Sequence, residues 1–191
     1  AQLLHRDVAR EEAADDLHHC TAHAPGDVPP GHHRLAQRDL HLQLFTDSRL
    51  LPAIAPRIRR SRVPVVIDHM GRAPAALGAA HQGIRTLVEL MRDGPVWVKL
   101  SGIANLSDAG PDYEDAQPIH QALVEAAPAR LVWGSDWPHT KPAADRPRTS
   151  TLMHRFRQWT PEQVRHRIEW SNAVHLYRLP VDRSGLVAAQ A

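Results

Sequence analysis

The chain has 191 residues, 42% of them hydrophobic, with 23 Lys and Arg against 21 Asp and Glu for a formal net charge of +2. That is enough to bury one sizeable core, so a single domain is expected, and charges so nearly balanced leave no electrostatic footprint for nucleic acid. Cys20 stands alone, which excludes an internal disulfide framework and suits a reducing cytoplasm; no run of 18 apolar residues offers a membrane span.

Residues 1–38 differ from the rest. Histidines cluster in "LHHC", "TAH" and "GHHR", no stretch runs apolar as a strand would, and only "HRDVAREEAADDLHH" has a helical look without a strong apolar face. A poorly packed N-terminal arm is expected here. The opening lacks the basic flank and apolar core of a signal peptide, and without an initiator Met the chain reads as a fragment or a processed product.

From residue 39 the text becomes regular. "DLHLQLF" (39–45) alternates as a strand, "SRLLPAIAPRIRRS" (48–61) has helical spacing broken by two prolines, and "VPVVIDHMG" (63–71) is a buried strand with a polar end. The basic run "RIRRSR" (57–62) suits the solvated C-terminus of that helix. "GAAHQGIRTLVELMRDG" (78–94) is an amphipathic helix closed by Gly94, and "PVWVKLSG" (95–102) is a third strand. "YEDAQPIHQALVEAAP" (113–128) is a helix and "ARLVWGSD" (129–136) a fourth strand. "PHTKPAADRPRTS" (138–150) is a long Pro-rich loop, "TLMHRFRQW" (151–159) a helix, and residues 160–179 a last helix with Thr160 as cap and Pro161 as first residue. Residues 180–191 have little to anchor them. Strand and helix alternate from 39 to 179, so the fold class is α/β, with βα units on a parallel sheet.

Three of these strands end on polar residues: Asp68, His69 and Arg72 after "VVI", Lys99 and Ser101 in "VWVKLSG", and Ser135, Asp136 and His139 after "LVW". In a parallel sheet such ends converge on one crevice, where a carboxylate base, a cation and hydrogen-bond donors suit hydrolysis. By the period of two, Lys99 shares a face with Trp97 and Ser101, so it is set either to pair with Asp136 or to touch a substrate. Arg72 can likewise pair with Asp68 at the rim or bind a carboxylate through its planar fork. His69 has a core-packing alternative and Asp136 a loop-capping one. His81, His120, His154, His166 and His175 lie in helical text as surface or packing residues.

"VVIDHMGR", "VWVKLSG", "LVWGSDWPH" and "SNAVHLY" together resemble the second half of an amidohydrolase-superfamily barrel, in the branch of 2-pyrone-4,6-dicarboxylate lactonase and sugar lactonases. The resemblance implies a partial (β/α)8 TIM barrel of about four βα units over residues 39–179. It makes Asp136 the base that activates water and sets His69 against the substrate carbonyl. Arg72, Lys99, Ser101, Trp137, His139 and Gln43 become candidate substrate contacts, with His41 and Pro138 nearby. Members carry a His-x-His pair on the first barrel strand; this chain has none, so a binuclear metal site is not expected, although His69 and Asp136 could hold one divalent ion incompletely. The implied function is opening of a lactone of a small carboxylate or sugar acid. The alternatives are an incomplete, non-catalytic barrel that binds a small ligand, or a metal through "LHHCTAH", and a decarboxylase of the same superfamily. The partner implied is a small molecule, with no nucleic acid or membrane, and open barrel edges invite self-association.

Overall fold

The computed structural model describes residues 31–139 and 146–181. The first 30 residues of the expected arm, with Cys20 and "LHHCTAH", lie outside the described residues, as do 140–145 of the Pro-rich loop and 182–191 of the tail. Where the arm enters the described region it forms a short helix, α1 (Gly31–Gln37), for which local sequence carries no helical signal. Its end is closed by backbone bonds from Arg38 and Leu40 to the carbonyl of Leu35.

Four strands follow: β1 (Leu42–Leu44), β2 (Val65–Ile67), β3 (Val96–Leu100) and β4 (Leu131–Trp133). They pair side by side in chain order, all parallel. The register sets Gln43 beside Val66 and Val66 beside Trp97, while Lys99 lies beside Val132. Each strand is shorter than the stretch expected for it, and the polar residues at its end lie beyond the ladder.

Alternation divides the sheet into two faces. Val65, Ile67, Val96, Val98 and Leu131 point into the larger core. That core is covered by α2 (Leu51–Arg59), α3 (Gln82–Asp93), α4 (Gln117–Ala126) and α5 (Thr149–Trp159), through Leu51, Ile84, Leu87, Ile119, Leu123 and Phe156 among others. Val66, Trp97 and Val132 point the other way, against Leu176 and Tyr177.

Local chemistry explains where the helices start and stop. Asp47 accepts from the backbone of Arg49 at 2.8 Å and begins a 3-10 turn (Ser48–Leu50) that runs into α2, with Pro52 in the first turn, where no intrahelical donor is needed. His81 caps α3 by accepting from Gly83 N at 3.2 Å. Gly83 must be glycine, since a Cβ there would lie 2.2 Å from the Ser48 carbonyl oxygen. Gly94 closes α3 as expected, though in extended backbone rather than the left-handed form.

The last helix departs from expectation in two ways. Residues expected to be continuous over 160–179 form α6 (Glu162–His166), a π-turn (Arg167–Ser171) and α7 (Asn172–Tyr177). The wider turn sets buried Asn172 to donate to the carbonyls of Pro128 and Leu131, at 2.8 and 2.6 Å, and ties the helix to the start of β4. Thr160 does not cap α6; its hydroxyl meets His120 Nε2 at 2.8 Å instead.

His120 is packed against Phe156 and Trp159, and burial pushes its pKa down from 6.5 to about 4. The fold therefore favours neutral imidazole. Its contribution to stability is full above pH 6.5 and is lost as pH falls from 6.5 towards about 4. Melting temperature measured across that window is expected to fall less steeply for His120→Asn than for the native chain; equal slopes would contradict this.

Candidate active site

β2 leaves the sheet through a left-handed turn: His69, Met70, Gly71 and Arg72 have φ of 51°, 51°, 69° and 48°. Left-handed backbone costs a non-glycine residue roughly 1–2 kcal/mol, and such residues persist only where packing holds them. The packing is present: Met70 and Gly71 are buried, and a Cβ on Gly71 would already sit 3.2 Å from Leu87. The turn leaves His69 and Arg72 at the rim. After β4, Asp136 (φ 62°) and His139 (φ 56°) repeat the device, with His139 N donating to the Asp136 carbonyl at 2.9 Å.

His69 and Asp136 meet there. His69 Nε2 lies 3.6 Å from Asp136 Oδ1, with their side chains 14% and 27% exposed, dry enough to interact yet open to a small molecule. The other imidazole nitrogen, Nδ1, is 2.9 Å from Ser101 Oγ, a hydroxyl that can serve either tautomer. Asn105 Nδ2 donates to Asp136 Oδ2 at 3.2 Å. Gly102 (φ 61°) makes this convergence possible, because a Cβ there would lie 2.5 Å from His69 Nδ1 and 3.0 Å from Asn105 Nδ2.

Arg72 does not pair with Asp68. Its guanidinium carbon lies 4.5 Å above the Phe45 ring, and that ring also meets His69 edge-on at 5.7 Å. The fork is thus held on one face while its edge stays available. Nor does Lys99 pair with Asp136. Its Nζ donates to Gln43 Oε1 at 2.9 Å and lies 3.1 Å from Asp68 Oδ1, off hydrogen-bond angle, so the Asp68 contact is an ion pair rather than a directed bond. Gln43 Nε2 donates to Asp68 Oδ2 at 2.9 Å and closes the trio across β1, β2 and β3. Asp136 lies beyond the end of β4, whereas Asp68 follows β2, which pairs with the strand that carries Lys99.

Beneath this trio, His41 meets Tyr177 edge-on at 5.5 Å. Burial, then the Lys99 charge, lowers the His41 pKa, while burial, then Asp68, pushes Tyr177 up to about 12. Trp137 is 66% exposed at the mouth. His139 lines a cavity of about 10 Å³ with Asn105, Ser135 and Asp136, and its Nε2 is buried without a hydrogen-bond partner. Among the described residues no group of three or more His, Cys, Asp or Glu is gathered closely enough to hold a metal ion, and His69 and Asp136 stand as a pair.

Two residues at the site escaped the sequence reading. Phe45 ended the first strand as an apolar residue, with no sign that it would lie 64% exposed under Arg72. Asn105 lies in a 3-10 turn (Ile103–Asn105) beyond the strand motif; the only signal for it was a side-chain donor following a Gly at a strand exit.

A family model described as Amidohydrolase matches residues 9–179. The 4-sulfomuconolactone hydrolase of Hydrogenophaga intermedia is 38% identical over 102 residues, covering 53% of this chain and 34% of the relative. A 2-pyrone-4,6-dicarboxylate hydrolase of Comamonas testosteroni is 31% identical over 115 residues, 56% of this chain and 38% of that protein. A crystal structure of an Agrobacterium tumefaciens protein superposes with a TM-score of 0.70 at 27% identity, covering 78% of this chain and 54% of the other. The chain thus spans little more than a third of the length of these two curated relatives.

Gly102→Ala tests the packing of the site. A methyl so close to the imidazole should displace His69 from Ser101 and strain the left-handed backbone, moving the His69 ring resonances in an NMR spectrum. Unmoved resonances would show that the three strand exits are not packed this tightly.

Proposed function

Because the chain belongs to the amidohydrolase family, we propose that it opens a lactone of a small carboxylate or sugar acid, using water activated by Asp136. The observation that carries this is the 3.6 Å approach of Asp136 Oδ1 to His69 Nε2 at the exits of two strands in one parallel sheet. Lactone-hydrolysing relatives supply the substrate class.

Asp136 Oδ1 takes a proton as water attacks the lactone carbonyl carbon, and His69 Nε2 faces the carbonyl oxygen, where an imidazole N–H offsets the developing charge. Collapse of the tetrahedral intermediate breaks the ring C–O bond, and the departing ring oxygen takes the proton back from Asp136. The Arg72 fork, held flat by Phe45, receives a substrate carboxylate. Ser101 sets the His69 ring, while Trp137 and His139 shape the mouth. Lys99 and Gln43 offer polar contacts from the sheet face, although both are engaged with Asp68.

The chain carries four βα units of a (β/α)8 barrel, and among the described residues β1 and β4 each lack a strand partner on one side. Such edges favour self-association, the chemistry is that of a small-molecule enzyme in the cytoplasm, and among the described residues no helix is long and apolar enough to cross a membrane. The same open edges favour a second reading, an incomplete barrel that binds its ligand without turning it over.

The purified chain is expected to hydrolyse 4-sulfomuconolactone or 2-pyrone-4,6-dicarboxylate, and Asp136→Asn to lower kcat by roughly 10²–10⁴-fold with an unchanged circular dichroism spectrum. Retained turnover in that variant would remove Asp136 as the base. Binding of either lactone without hydrolysis by the native chain would favour the second reading.

A further inference from the structure

Asp136 has two carboxylate oxygens in different surroundings. Oδ1 faces His69, and Oδ2 accepts from Asn105 at 3.2 Å. Asn105 comes from another exit: β3 ends at Leu100, Ser101 holds His69, Gly102 bends left-handed, and the 3-10 turn that follows ends on Asn105. The turn is fixed by its own backbone, with Asn105 N donating to the Gly102 carbonyl at 2.8 Å and Leu106 N to that of Ile103 at 3.0 Å. Leu106, Ile103 and Ala104 are buried, so the turn is anchored from below while Asn105 itself is exposed. One five-residue segment therefore holds both candidate catalytic side chains, His69 by a hydroxyl and Asp136 by an amide.

A carboxylate on a short side chain with no second contact can rotate about its last bond and exchange its oxygens. A donor on one oxygen removes that freedom and leaves the other as the free acceptor. We propose that Asn105 is a positioning residue that occupies Asp136 Oδ2, so that Oδ1 is the oxygen presented to His69 and to the attacking water. The inference rests on the reading of Asp136 as the base, and it adds which oxygen acts and what selects it. Asn105 and Asp136 also line one small cavity together with Ser135 and His139.

The side chain of Asn105 is exposed, so its replacement leaves the core intact. Two readouts separate this inference from the reading beneath it. With 4-sulfomuconolactone as substrate, kcat should fall about tenfold in Asn105→Ala and further in Asn105→Asp, with KM within about twofold of the native value. A merely space-filling role gives the opposite order, because Asp matches Asn in shape; it is the loss of the donor and the added like charge beside Asp136 that make it worse. The second readout needs no turnover: the ¹⁵N resonance of His69 Nε2 should move in both Asn105→Ala and Asp136→Asn, while Nδ1, held by Ser101, stays in place. Movement in Asp136→Asn but not in Asn105→Ala overturns the positioning role and leaves the base intact. Movement in neither overturns the contact on which both depend, and full turnover in Asp136→Asn overturns the underlying reading.

Discussion

The structure depends on one constraint, the parallel, in-register pairing of four short strands. Register sets Gln43, Val66 and Trp97 in one row and carries Asp68, Lys99 and Val132 along the same face. A slip of one residue would turn Asp68 and Lys99 into the larger core and Ile67 and Val98 out of it, at a prohibitive cost in buried charge and lost apolar burial. Parallel direction then brings the exits of β2, β3 and β4 to one end. The ladder brings His69, Ser101 and Asp136 to the same end of the sheet, where contacts between the exits fix them to one another.

The outer core supports what the exits cost. Left-handed backbone at His69, Met70, Arg72, Asp136 and His139 is unfavourable for side chains of that size. Behind β2 the compensation is visible, since Leu51 and Leu87 of α2 and α3 are wholly buried and press on Gly71. The polar trio of Gln43, Asp68 and Lys99 works in the other direction. It neutralises two charges on the inner face of the sheet and ties three strands together, so Asp68 anchors the turn whose next residue is His69.

Much of this was legible in the sequence because it rests on periodicity. The buried runs "VVI", "VWVKL" and "LVW" and the apolar spacing of 82–93 mark the four-unit α/β pattern without reference to tertiary contacts. Polar residues at the ends of those runs pointed to His69, Ser101 and Asp136. Pairing partners are harder to read, since they depend on distance across the sheet: the period of two sets Lys99 on the face it occupies, but the carboxylate it meets there is Asp68. Arg72 escaped the same reasoning because an aromatic ring, not a carboxylate, lies beneath it. The π-turn at 167–171 and the use of Thr160 as a partner for His120 answer to packing of the last helix, for which local sequence carries no signature. Asn105 leaves only a faint mark in the sequence, a side-chain donor after a Gly at a strand exit, because its contact with Asp136 depends on the left-handed Gly102 before its turn.

The most direct measurement is a titration of the ¹⁵N-labelled 191-residue chain with 2-pyrone-4,6-dicarboxylate, followed by amide chemical shifts. If the strand exits form one site, saturable shifts should gather at residues 68–72, 101–105 and 134–139, the segments that leave β2, β3 and β4. Shifts confined to the opposite end of the sheet, or none at concentrations that saturate a lactone site, would contradict the convergence of the three exits on a substrate.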